Sequence, residues 1–473
     1  MTPIVLGLLL SAGTPAGSPP DGIAAALAEA GPGTRIGLIV VDGTGREIVA
    51  VRPDERFVPA SNTKIFTTAA AFATLDMTST DGGGGAEVRL EGQNVVLVGH
   101  GDARLSSAAA CKVDCLATLA HAVAAHMRVV HDVIGDDSAF PDERWPQGMS
   151  WNNQAGRYGT AISALTIDDN VAALSVAPGR PGAPPAVTGD GYYRIENRAI
   201  TVVGGRPSLE VTRLPGSDVV RVTGTVLAGA VPRSLLVGID DPAHRAAWRL
   251  RDLLRAEGVR VAGKVTVRHR PPSPSDDPEL RGGAPAPHAP APPFALARLT
   301  PPPLGEDVRL TNKVSQNLHA ELLLRRVAAA TGSGSVADGR AAVRQMLNGI
   351  GIPRWQYDFS DGSGMSSYNR VTPRATVAVL RWIAVQPWGF AWRETLPVGG
   401  VDGTLAARFH ATALDGRLFA KTGSLNATNA LSGYLTAASG QVLTFAAFAN
   451  DVAGDTSATS AIDKALLAVA ATN

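Results

Sequence analysis

A chain of 473 residues is longer than one ordinary domain and implies two or three. Hydrophobic residues make up 45% of it, enough for substantial cores, and its Leu, Val and Ala content excludes a disordered chain despite 51 glycines and 33 prolines. A formal net charge of +1 excludes the strongly basic balance of a nucleic-acid-binding protein.

The first residues carry the apolar run Ile4–Leu10, followed by small residues with Thr14 and Ala16 placed for cleavage after Ala16. A secretory leader over 1–16 is expected, although no Lys or Arg precedes the run. The run is too short to span a bilayer and no other long uncharged apolar stretch follows, so the expectation is a periplasmic or otherwise exported protein with no integral membrane segment. Residues 21–31 predict a helix with a glycine stop. Arg35 to Val41 and Glu47 to Val51 predict two strands joined at Asp42-Gly43-Thr44-Gly45, a strong hairpin signal.

Next comes Pro59-Ala60-Ser61-Asn62-Thr63-Lys64 and the apolar run from Ile65, which predict a helix opening at or near Ser61. Residues three apart share a helix face, so Ser61 and Lys64 stand hydroxyl beside amine. Backbone N–H groups at a helix start lack intrahelical partners and suit a developing oxyanion. On its own S-x-x-K is weak, because a serine before a helix is most often a cap.

Gly82–Gly85 marks a boundary. Ala86 to Leu97 reads as paired strands, Gly99-His100-Gly101-Asp102 as a polar turn in preference to a metal site, Leu116 to His126 as a helix and Val129 to Ile134 as a strand. His121, His126 and His131 share no site-like spacing and read as surface residues. Cys111 and Cys115 are the two cysteines of the chain; they form no zinc pattern, and a short disulfide loop and two thiols both stay open. Asp137–Phe140 and Trp145 to Asn153 read as an aromatic, loop-rich segment that either lines a cleft or packs under a loop. Short strands fill Ala186 to Gly229, Asp241-Pro242 caps a helix to about Glu257, and a strand ends near Arg268. Pro271 to Pro293 reads as an exposed linker.

Thr311 to Arg326 predicts one helix containing Ser315-Gln316-Asn317. Arg417 to Ser424, with Lys421-Thr422-Gly423, predicts a strand, followed by antiparallel strands over Ala430 to Thr436 and Gln441 to Asn450 and a helix from Ser460 to Ala470. S-x-x-K, then S-x-N, then K-T-G, each on the element type its chemistry needs, form a specific constellation.

With these motifs the chain resembles the penicillin-binding serine DD-peptidases and their β-lactamase relatives. More narrowly it resembles the D-alanyl-D-alanine carboxypeptidase/endopeptidase family, peptidase family S13 or penicillin-binding protein 4 type. The narrower likeness rests on the long insertion between Lys64 and Ser315 and on Gly101-Asp102, Asp137–Phe140, Ser163-Ala164-Leu165, Asp361-Gly362-Ser363-Gly364-Met365-Ser366 and Asp402-Gly403-Thr404. Ser-Gln-Asn departs from the commoner Ser-Asp-Asn, and Met365 and Ser367 stand where the family often has Leu and Arg.

The resemblance implies an α+β fold of the β-lactamase/DD-peptidase type, an antiparallel sheet flanked by helices. Residues 20–85 and 271–473 would form a discontinuous catalytic domain, with 86–270 an inserted β-rich α+β region of one or two small domains. It implies a serine hydrolase of peptidoglycan stem peptides, carboxypeptidase and endopeptidase, with β-lactam antibiotics as covalent inhibitors and no cofactor or metal. Ser61 would be the nucleophile, Lys64 its base, Ser315 a proton relay and Asn317 a holder of the substrate amide. Lys421 and Thr422 would bind the terminal carboxylate, Gly423 would admit the substrate backbone to the strand edge, and the N–H groups of Ser61 and Ser424 would hold the oxyanion. A serine β-lactamase and a silent cell-wall-binding protein on the same fold are the alternatives. Self-association, a homo-oligomer included, stays open.

Overall fold

Alternation of side chains along Arg35–Val41 sends Leu38 and Val40 to one side and Ile39 and Val41 to the other, and all four are buried. A strand buried on both faces needs cover on both, and the chain supplies it. The computed structural model describes residues 20–282, 284–287 and 294–473; the expected leader over 1–16 lies outside them. Five antiparallel strands run in the order Glu47–Val51, Arg35–Val41, Val442–Asn450, Thr428–Thr436, Leu418–Leu425. Helices Asp21–Ala28 and Thr459–Thr472 cover one face through Ile23, Leu27, Ile462 and Leu466. Helices Thr63–Thr74 and Pro373–Ala384 cover the other through Ile65, Phe66, Val379 and Leu380.

Thr63–Thr74 is the central helix, buried from Thr63 through Ala71. Its polar side chains are satisfied internally: the Thr67 hydroxyl donates to the Gly362 carbonyl (2.7 Å), the Thr68 hydroxyl to the Lys64 carbonyl (2.7 Å) and the Trp392 indole N–H to Thr68 Oγ1 (3.0 Å). The helix opens two residues later than expected. Ala60–Asn62 forms a 3₁₀ turn, with Ala60 at φ 48, and the α-helix begins at Thr63.

The inserted region has its own sheet, in the order Val265–Arg270, Val133–Pro141, Asn94–Val98, Glu87–Glu91, Ala297–Arg298. Helices Leu116–His126 and Pro242–Ala256 pack on it through Leu116, Leu119, Leu250 and Leu254. The parallel pairs Asn94–Val98 with Val133–Pro141 and Val133–Pro141 with Val265–Arg270 are joined through helices, as parallel strands require. Short strands between Val171 and Gly238 make a satellite around Leu174, Val220, Val222 and Val237.

Three expectations change, and one open choice is settled. The strand expected over Val129 to Ile134 is two, Val129–Val130 and Val133–Pro141, and the second takes in Asp137–Phe140, which the sequence assigned to loop. Pro271 onward is not an open linker: Pro274–Asp276 is a 3₁₀ turn, Pro278–Arg281 a helical turn, and Arg281 pairs with buried Asp338 at 2.6 Å. The chain then returns through Ala297–Arg298 as an edge strand of the inserted sheet; residues 288–293 lie outside the described residues. The single helix expected over Thr311 to Arg326 is two, Leu304–Lys313 and Asn317–Thr331, broken at Ser315, whose φ of 61 no right-handed helix accepts. Cys111 and Cys115 are joined in a disulfide, which settles the choice that spacing left open.

Candidate active site

The 3₁₀ turn and the central helix place Ser61 and Lys64 one turn apart, and Lys64 Nζ lies 2.9 Å from Ser61 Oγ. The same nitrogen donates to Asn317 Oδ1 (2.6 Å) and the Ser363 carbonyl (2.7 Å). Two fixed acceptors leave a neutral Lys64 only one direction for its lone pair, toward the Ser61 hydroxyl. Burial pulls the Lys64 ammonium down from its ordinary value to about 7, against the opposing charges of Asp361 and Glu321.

Lys421 lies behind the cleft on the edge strand Leu418–Leu425. Its Nζ donates to Ser315 Oγ (3.0 Å) and the Thr422 carbonyl (3.0 Å). Burial, and then the charge of Lys64, hold it well below the usual lysine range. The left-handed backbone of Ser315 thus turns its hydroxyl onto this amine, a strained residue placed where two helices meet. Asp402-Gly403-Thr404 clamps the approach. Lys313 Nζ pairs with Asp402 at 2.6 Å, and the Thr404 and Thr422 hydroxyls meet at 2.7 Å.

All of these elements open onto one cleft of about 1220 Å³. Ser61, Ser315, Asn317, Thr422 and Ser424 line one wall; Met149, Asn152 and Asn153 of the inserted region line another, so the aromatic loop does border a cleft. Lys64 and Lys421 are fully buried behind the hydroxyls.

The structure adds detail at three of the expected positions. Asn317 has its Oδ1 taken by Lys64 and one Nδ2 hydrogen by the Tyr158 carbonyl (2.9 Å), which leaves a single hydrogen for a substrate. A Cβ on Gly423 would meet the Pro59 carbonyl oxygen at 2.7 Å and Asn62 Nδ2 at 3.1 Å. Glycine is therefore needed there for the turn beneath Ser61, while Thr422 and Ser424, alternating with it, face the cleft. Ser367, where the resemblance led to Arg, donates its hydroxyl to the Gly148 carbonyl (2.9 Å) and offers no charge.

The sequence reading missed several residues that hold this geometry. Asn62 donates from Nδ2 to the Lys421 carbonyl (3.0 Å), tying the serine turn to the edge strand. Asp361 accepts from Gly364 N (2.9 Å), Ser366 N (2.6 Å) and Asn369 Nδ2 (2.5 Å), shaping the loop whose Ser363 carbonyl receives Lys64. Fully buried Glu321 accepts from Ser363 N (2.8 Å) and Gly362 N (3.1 Å). Its signal was a charged residue one turn beyond Asn317, followed by three leucines. The remaining quoted stretches meet one another away from the cleft: Gly101 N donates to the Ala164 carbonyl (2.8 Å), the Ser163 hydroxyl to Asp137 Oδ2 (2.7 Å), and Phe140 packs with Leu318 and Leu322. They seat the inserted region on the Asn317–Thr331 helix.

His100 lies 3.6 Å from Glu87, in a polar turn as expected, and His121, His126 and His131 are exposed. Asp137, Asp142 and His269 come close enough to share an ion, but Arg144 donates to Asp142 (2.8 Å) and lies 3.0 Å from His269 Nε2. Hydrogen bonds to Asp137 and Asp241 hold His269 protonated, up to about 10, so the cluster is a network of ion pairs.

Residues 21–473 match the D-Ala-D-Ala carboxypeptidase 3 (S13) family. The chain belongs to that family. A D-alanyl-D-alanine carboxypeptidase of Actinomadura sp. (strain R39) is 34% identical over 437 residues, 86% of this chain and 76% of that protein. Carboxypeptidase DacB of Mycolicibacterium smegmatis (strain ATCC 700084 / mc(2)155) is 31% identical over 460 residues, 94% of this chain and 82% of the relative. Penicillin binding protein 4 (dacB) from Haemophilus influenzae superposes with a TM-score of 0.77 at 22% identity, over 94% of this chain and 97% of that one. The S13 assignment and this superposition establish the β-lactamase/DD-peptidase type of α+β fold expected from the motifs.

Within this S13 chain, Gly364 brings the Asp361–Ser366 loop against the serine turn. At φ 89, a Cβ there would stand 1.9 Å from the Ala60 carbonyl oxygen. Gly364→Ala is expected to cost about 3 kcal/mol and to slow penicillin labelling, since the turn carrying Ser61 must move. Chemical denaturation with a labelling time course checks both; an unchanged midpoint and rate would contradict this.

Proposed function

We propose that this serine D-Ala-D-Ala carboxypeptidase acts on peptidoglycan stem peptides through an acyl-enzyme on Ser61. The observation that carries the reading is the hydrogen bond from Lys64 Nζ to Ser61 Oγ, with Asn317 and Ser363 holding the same amine. Neutral Lys64 takes the hydroxyl proton as Oγ attacks the carbonyl of the D-Ala–D-Ala bond. Backbone N–H groups at Ser61 and Ser424 stabilise the tetrahedral oxyanion. The proton passes through Ser315 to the departing D-Ala amine, the C–N bond breaks, and the acyl group stays on Ser61 as an ester. Water then attacks the ester, its proton returns to the hydroxyl, and the shortened peptide leaves.

The hydroxyls of Thr422 and Ser424 line the cleft and receive the terminal carboxylate; its charge in turn favours protonated Lys421 behind them. The remaining Asn317 Nδ2 hydrogen binds the substrate amide. A cross-link whose leaving amine belongs to a second stem peptide enters the same open cleft, giving endopeptidase activity. β-Lactams acylate Ser61 by the same attack; a solved structure of the Haemophilus influenzae penicillin binding protein 4 is a complex with a β-lactam.

Export is part of the proposal. The disulfide fits an oxidising compartment, and among the described residues no helix is long and apolar enough to cross a membrane. The test is to digest purified muropeptides and identify products by mass, alongside hydrolysis of a chromogenic cephalosporin. Released D-Ala with slow cephalosporin turnover is expected. Rapid cephalosporin turnover without D-Ala release would establish the β-lactamase alternative, and neither activity the silent binder.

A further inference from the structure

Lys64 is sealed among Ser61, Asn317, Ser363, Lys421, Asp361 and Glu321. Glu321 follows Asn317 by one helical turn on Asn317–Thr331, so the two share a face. Asn317 reaches Lys64 directly. Glu321 reaches it through the loop. Its carboxylate accepts from Ser363 N (2.8 Å) and from Gly362 N (3.1 and 3.2 Å to its two oxygens), and the Ser363 carbonyl on the same peptide segment accepts from Lys64 Nζ (2.7 Å).

We infer that Glu321 is a positioning residue of the acylation step: its carboxylate fixes the Gly362–Ser363 backbone that orients the Lys64 amine, and its negative charge offsets the desolvation of that amine. This rests on the reading of Lys64 as the base. A buried lysine with no anion nearby would lose its proton readily but would be a feeble base; one held too firmly by anions would never release its proton. Asp361 is the larger opposing charge on Lys64, and its oxygens accept from Gly364, Ser366 and Asn369. Burial, and then the charge of Asp361, raise the Glu321 carboxyl to about 7, against the hydrogen bonds from Ser363 and Gly362, so Glu321 and Lys64 exchange charge in the same pH range.

The titration needs no substrate and so stands apart from the fate of Ser61. Lysine ¹³Cε and glutamate ¹³Cδ resonances are followed against pH in the full chain. In the wild type, Lys64 and Glu321 are expected to titrate near neutral pH; a Glu321 carboxyl that stays uncharged throughout the Lys64 titration would overturn the inference. In Glu321→Gln the Lys64 midpoint should fall by about one pH unit or more, and in Glu321→Asp it should stay near the wild-type value. The acidic limb of benzylpenicillin acylation should move with it. A folded Gln variant with lower acylation at every pH and an unmoved Lys64 midpoint would assign Glu321 a structural role only.

Discussion

Ser61→Ala is expected to reduce D-Ala release and labelling by a fluorescent penicillin together, each to below about a thousandth of wild type. The two losses coincide because one oxygen attacks both carbonyls. The variant should fold: Ser61 is partly exposed at the cleft, and the recorded bond to its hydroxyl is the one from Lys64. Alanine keeps the 3₁₀ turn, and Lys64 keeps Asn317 and Ser363. Thermal unfolding within a few degrees of wild type is therefore part of the expected result. Retained labelling would move the nucleophile elsewhere, with Ser315 the next hydroxyl in the same cleft.

Lys64→Ala should be nearly as damaging, lowering acylation by about 10²–10⁴-fold, the usual worth of a positioned base. The deletion also strips Asn317 Oδ1 and the Ser363 carbonyl of their donor in a buried site, so stability falls as well. The wild-type pH profile carries the sharper information. Only neutral Lys64 accepts the Ser61 proton, and burial has brought its folded-state value from 10.5 down to about 7. Acylation by benzylpenicillin should therefore rise with pH through about 7 and flatten above it, about tenfold lower one pH unit below the midpoint. A profile flat from pH 5 to 8, or a Lys64→Ala variant within tenfold of wild type, would point to another base.

The parts of the site that sequence exposed are those set by local geometry. Ser61 and Lys64 are three residues apart, and helical spacing alone brings hydroxyl and amine together. Lys421-Thr422-Gly423 lies on a strand of ordinary apolar alternation, and the hairpin around Asp42-Gly43 declares itself through turn chemistry. What stayed hidden depends on partners distant in the chain. Ser315-Gln316-Asn317 reads as part of one helix, although Gln316 caps a new one and the Lys421 amine that meets Ser315 lies 106 positions away. Gly423 reads as room for a substrate until Pro59 and Asn62 fill that side of the strand. Pro271 to Arg281 reads as linker by composition, yet Arg281 and Asp338 fasten it to a helix. Glu321 looks like a solvated charge among leucines until Gly362 and Ser363 fold over it.

The account depends on a single bond formed at a single oxygen. The purified protein is acylated with benzylpenicillin, digested, and mapped by tandem mass spectrometry. One adduct with the mass of the intact drug, on the peptide containing Ser61 and fragmenting to that residue, is the expected result. An adduct on any other side chain, or intact protein that never gains mass, would contradict it.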